Sequence, residues 1–181
     1  MPKTLVACIG NIFLGDDAFG CAVAHVLSRR QLGPDVRVID FGIRGLDLVY
    51  TLLDDWDRVI LVDAVPRGEP PGTLYVIEPE VPRAGPPPTA LDAHQMDPVR
   101  VLRLATALGA KLPMVWLVGC EPSPPTDDDL PSGLSPPVEH ALEAAADLVE
   151  SLLPRLRDPL GQVFQPDSAS GEMHNAAGWK A

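Results

Sequence analysis

Arg58-Val-Ile-Leu-Val-Asp-Ala64 is the stretch that decides the fold. Residues 59–62 are apolar without interruption and three of them are β-branched, so the strand has no face to offer water. A strand covered on both sides belongs to α/β layering, with helices above and below one sheet. Thr4-Leu-Val-Ala-Cys-Ile9 repeats the pattern near the start of the chain, and residues 36–40 and 114–119 add two more strands. Residues 73–77, after a Pro-Pro-Gly turn, supply a fifth. Helical segments fall between them. One is expected to start on Asp16 or Asp17 as its cap and to run to about Arg30, with Phe19, Val23 and Leu27 on one stripe. Residues 45–53 form a short second helix. Asp97-Pro98 opens a third, with proline at the first helical position, and Ser135-Pro136 opens a last one reaching about Leu156. The pattern predicts an α/β fold: a single domain whose five-stranded, mainly parallel twisted sheet carries helices on both faces.

The chain has 181 residues, the length of one domain, and buries about 70% of its unfolded surface. We divide it into residues 1–157, the α/β domain, and residues 158–181, a polar stretch without periodicity expected to be a disordered tail. Two proline-rich loops, 78–93 and 120–134, separate the later elements. A formal charge of −11 repels phosphate backbones and argues against a nucleic-acid partner. The N-terminus lacks the cationic start and small-residue cleavage site of a signal peptide, and no apolar run is long enough to span a bilayer. Cys8, Cys21 and Cys120 show no C-x-x-C spacing and read as free thiols of a reducing compartment. The expected location is the cytoplasm.

In a parallel sheet with helices on both faces, sites form at the carboxyl ends of the strands. Three groups fall on that rim. Asp16 and Asp17 follow the first strand, Asp63 closes the third, and His94 ends the proline-rich loop in Leu-Asp-Ala-His-Gln-Met. Two carboxylates and an imidazole form an O/O/N set suited to a first-row divalent ion. Each also has a plainer reading: a helix cap for Asp16 or Asp17, a backbone-bonding turn acid for Asp63, an exposed loop histidine for His94. Cys120 ends the fifth strand on the same rim and is a possible nucleophile, but a free cysteine is more often a small buried hydrophobe. Gly10-Asn11 lacks the full G-x-G-x-x-G of a dinucleotide-binding turn.

The run Gly10-Asn-Ile-Phe-Leu-Gly-Asp-Asp-Ala-Phe-Gly20 resembles the N-terminal signature of the [NiFe]-hydrogenase maturation endopeptidases, G-N-x-L-x-x-D-[DE]-x-x-G. The resemblance continues through Val-Ile-Asp-Phe-Gly-Ile-Arg-Gly-Leu at 38–46, then 59–65, Pro-Gly-Thr-Leu at 71–74, the histidine segment 92–95 and Val-Gly-Cys-Glu-Pro at 118–122. It covers about residues 3–157 in the family's order. In the family's D-G-G-T-x-G turn, Phe41 stands for a glycine and Ile43 for the threonine; Asp17 stands where Glu is common. The resemblance implies an endopeptidase that removes the C-terminal extension of a [NiFe]-hydrogenase large-subunit precursor after nickel insertion. It implies further that the nickel is carried by the substrate, the isolated protein being metal-free. By position, Asp17, Asp63 and His94 would be both the nickel contacts and the catalytic groups, with Asp40 and Asp16 as supporting acids. The bond would break either by nickel polarising the carbonyl or by an acid activating water, as in an aspartyl-type endopeptidase. Arg44, inside the glycine turn, is a candidate substrate contact. Two alternatives stay open: a nickel-sensing or chaperone module of the same fold, and a nucleotide-binding Rossmann-like protein.

Overall fold

A computed structural model describes residues 3–80, 97–112, 114–124 and 133–155. The expected tail from 158, His94 and most of both proline-rich loops lie outside the described residues. Five strands form one sheet: β1 (Thr4–Ile9), β2 (Val36–Gly42), β3 (Arg58–Ala64), β4 (Leu74–Ile77) and β5 (Met114–Cys120), in the order β2-β1-β3-β5-β4. The pairs β1–β2, β1–β3 and β3–β5 are parallel, and only β4 runs against its neighbour.

Among the described residues four α-helices cover the sheet: α1 (Phe19–Leu27), α2 (Gly45–Thr51), α3 (Pro98–Ala107) and α4 (Pro136–Arg155). Because side chains alternate along a strand, β1 feeds two cores. Leu5, Ala7 and Ile9 pack with Leu48 of α2 and Val101 and Leu102 of α3. Val6 and Cys8 pack with Phe19, Val23 and Leu27 of α1 and Val149 of α4. Each fully buried Val, Leu, Ile or Phe among them contributes about 1.5–3 kcal/mol of transfer free energy. The expected stripe on α1 is therefore its packing face.

One local expectation needs correction. Neither Asp16 nor Asp17 caps α1. Both sit in a single 3₁₀ turn (Gly15–Ala18) ahead of the helix, whose cap residue, Ala18, makes no side-chain bond. At the other end Arg29 and Arg30 donate to Val26 and Leu27, three residues back, so the last turn tightens out of α-helical geometry before Arg30. Asp97 does cap α3, its Oδ1 accepting from the Val99 N–H at 2.9 Å with Pro98 in the first turn. Among the described residues no helix is long and apolar enough to cross a membrane.

Candidate functional site

The first loop is built so that its acid stands over the strand ends. The Asn11 N–H donates both to the Asp17 carbonyl and to Asp17 Oδ2, each at 3.1 Å. The Phe13 N–H donates to Asn11 Oδ1, Leu14 to the Asn11 carbonyl, and Asp17 to the Leu14 carbonyl. The loop closes on itself as a rigid unit. Two glycines let it sit so low. A β-carbon on Gly10 would lie 2.2 Å from the Asp17 carbonyl oxygen, and one on Gly20 would lie 2.0 Å from the Ile9 oxygen and 2.5 Å from that of Val62. Side chains there would push the loop and the first turn of α1 off β1 and β3.

Asp63 is the penultimate residue of β3, 7% exposed, with its Oδ1 accepting the Ala64 N–H at 2.9 Å. Burial first, and then the negative charge of Asp17, push its carboxyl well above the ordinary range against the Ala64 bond; Asp97 adds a smaller push. Asp17, on the exposed side, is raised by desolvation and lowered by the Asn11 N–H. The fold thus places Asp63 within the field of Asp17, and a cation beside Asp63 would relieve the push on its carboxyl. Their donors are carboxylate oxygens, a hard set that fits a divalent metal. His94 lies outside the described residues. Among the described residues no three His, Cys, Asp or Glu side chains gather as a complete metal-binding group.

Asp16 is occupied elsewhere. Its carboxylate accepts the Ser123 N–H at 2.8 Å, the Ser135 N–H at 2.6 Å and the Ser135 hydroxyl at 2.8 Å. Burial acts to raise it, but these bonds prevail and hold it below the usual carboxylate range. Asp16 therefore ties the first loop to the segment between β5 and α4. Asp40, exposed at the end of β2, accepts the Gly42 N–H at 2.9 Å and shapes the next turn. Arg44 donates to the Asp40 and Phe41 carbonyls at 2.5 and 3.1 Å and lies 3.7 Å from Asp47, so its guanidinium braces its own turn.

Cys120 is fully buried, and desolvation, with the charges of Asp16 and Glu121 behind it, pushes its thiol up to about 12. A nucleophilic cysteine needs the opposite environment. Cys8 and Cys21 are buried and raised too, first by burial. One rim residue escaped the sequence reading. Glu121, 4% exposed, accepts the N–H groups of Arg67 (2.8 Å) and Gly68 (3.0 Å) and the Tyr75 hydroxyl (2.5 Å). It pins the β3–β4 connection to the end of β5. The only sequence signal was an acid directly after an apolar strand.

Residues 21–152 match the family model described as hydrogenase maturation protease. The chain is 34% identical over 144 residues to the hydrogenase expression/formation protein HoxM of Cupriavidus necator, covering 78% of this chain and 71% of that one. It is 36% identical over 154 residues to HupD of Bradyrhizobium diazoefficiens, covering 83% and 78%. Among solved structures it is similar to the hydrogenase maturating endopeptidase HybD from E. coli, at TM-score 0.68 and 28% identity, over 84% of this chain and 93% of that one. It is also similar to the hydrogenase 2 maturation peptidase from a Thaumarchaeota archaeon, at TM-score 0.60 and 35% identity, over 83% and 97%.

Proposed function

The chain belongs to the hydrogenase maturation protease family, and we propose that it removes the C-terminal extension of a [NiFe]-hydrogenase large-subunit precursor after nickel insertion. Nickel arrives with the substrate. Asp17, Asp63 and His94 would meet it on the carboxyl rim, leaving its remaining positions to the precursor's own ligands. The observation that carries this reading is the pairing of a buried acid, Asp63, with Asp17, whose charge it feels. Two carboxylates held this way bind a cation more readily than a neutral group. Cleavage adds water across one amide bond, giving a new carboxylate on the large subunit and a free peptide.

The test is mass spectrometry of nickel-loaded precursor incubated with this protein and with its Asp17→Asn and Asp63→Asn variants. The wild-type protein should release one C-terminal peptide, and both variants should lose at least about a hundredfold in rate, about 2.7 kcal/mol of transition-state stabilisation. Asp17→Asn should keep its melting temperature, because Asp17 caps no helix and its backbone bond to Asn11 survives. Intact precursor after incubation with the wild-type protein would refute the peptidase reading. Stable variants that cleave at the wild-type rate would remove these two acids from the site.

A further inference from the structure

The loop that carries Asp17 also carries three consecutive apolar side chains turned to solvent. Ile12 is 62% exposed, Phe13 74% and Leu14 49%. Ile43, 55% exposed, sits in the turn after β2, and the Gly10 N–H donates to the Gly42 carbonyl at 3.2 Å, joining the two loops. Exposed apolar residues scattered singly need no explanation, but a cluster on one rigid rim marks a surface that meets a partner. This cluster is held by the bonds among Asn11, Phe13, Leu14 and Asp17, so it is displayed in a fixed geometry and loses little entropy on contact.

We propose that Ile12, Phe13, Leu14 and Ile43 form the docking surface for an apolar stretch of the precursor next to its scissile bond. The proposal rests on the peptidase reading above and names the part of the substrate that this rim reads. Two observations select that occupant. The cluster is continuous with the candidate site, since Asp17 closes the same hydrogen-bonded loop. Of the charges carried by the two loops and the helix after them, Arg44 is turned back onto its own turn and paired with Asp47, which leaves the acids Asp17 and Asp40. An apolar segment with neutral or cationic flanks fits; an acidic one is repelled.

The experiment compares Phe13→Ser and Ile43→Ser with the wild-type protein on full-length nickel-loaded precursor, with Tyr50→Ser as the control. Tyr50 is 63% exposed on α2, so that change removes similar apolar surface away from the rim. All three variants should keep the wild-type melting temperature. Phe13→Ser and Ile43→Ser should each lose about tenfold or more in kcat/KM, carried by KM, while Tyr50→Ser should change less than twofold. An unchanged KM, or a loss confined to kcat, overturns the docking surface. A wild-type protein that cleaves nothing defeats the peptidase reading alone; the docking surface is then decided by precursor affinity, tenfold weaker in Phe13→Ser if it stands and equal or absent if it falls. A wild-type dimer dissolved by Phe13→Ser would assign the surface to a second copy. Tighter precursor binding after removal of residues 156–181 would assign it to the chain's own end. Either result overturns the proposal.

Discussion

An ionised Glu121 lies almost wholly out of water, which only its converging donors make tolerable. Glu121→Gln turns one acceptor oxygen into an NH₂ that faces those donors, and should cost about 2 kcal/mol at neutral pH. The loss has a pH signature. Burial acts to raise this carboxyl, but the Tyr75 hydroxyl and the backbone N–H groups prevail and lower it below the usual glutamate range. Its contribution is therefore complete above the unfolded value and drains away as pH falls through the lower folded one. Urea midpoints of wild-type and Glu121→Gln protein should differ at neutral pH and converge as pH falls below the ordinary carboxylate range. A gap that stays constant into acid would show that the charge is not the cause. The places of Asp17 and Asp63, one in the loop after β1 and one at the end of β3, were legible in the sequence because an acid at the end of an apolar strand, or in a glycine-bounded loop after one, stands out. Glu121 ends its strand the same way and was not legible as an anchor: one-dimensional pattern does not separate an acid satisfied by backbone N–H groups from one left for a ligand.

At the scale of elements, Gly20 shows how little room separates α1 from the sheet. Gly20→Ala places a methyl 2.0 Å from the Ile9 carbonyl oxygen, so the helix must lift from β1 and β3. That overpacking should cost about 3 kcal/mol, and a protein of this length should lose about 6–12 °C of melting temperature. Calorimetry that finds the midpoint unmoved would mean that α1 yields without loss. The strands were the most legible elements, and β3 spans the residues its apolar run predicted. Continuous burial on both faces leaves few other solutions for such a run. The start of α1 was misread because two adjacent aspartates imitate a cap; one is drawn to Ser123 and Ser135, the other to Asn11.

For the molecule as a whole, Asp16 matters through distance along the chain. Its partners Ser123 and Ser135 stand 107 and 119 residues away, beyond any window a sequence pattern can use. Asp16→Ala should cost about 2–3 kcal/mol through its charge-assisted bonds, and Ser135→Ala, which keeps the backbone N–H, about 1 kcal/mol. Because both changes break the same hydroxyl–carboxylate bond, the double variant should cost less than the sum of the two. Denaturant unfolding of the four proteins measures this, and strict additivity would show that the two residues do not act as one clamp.

The clamp also sets a timetable. A ribosome delivers Asp16, Asp17 and Asp63 while more than half of the chain is still unmade, and β5, which fills the sheet between β3 and β4, comes later still. Until Ser123 and Ser135 emerge, the Asp16 carboxylate in the loop that displays Asp17 lacks both of its remote partners. A nascent chain therefore holds the acids of its candidate site long before the fold around them is complete. Synthesis itself keeps this protease unfinished until nearly the whole domain has been translated.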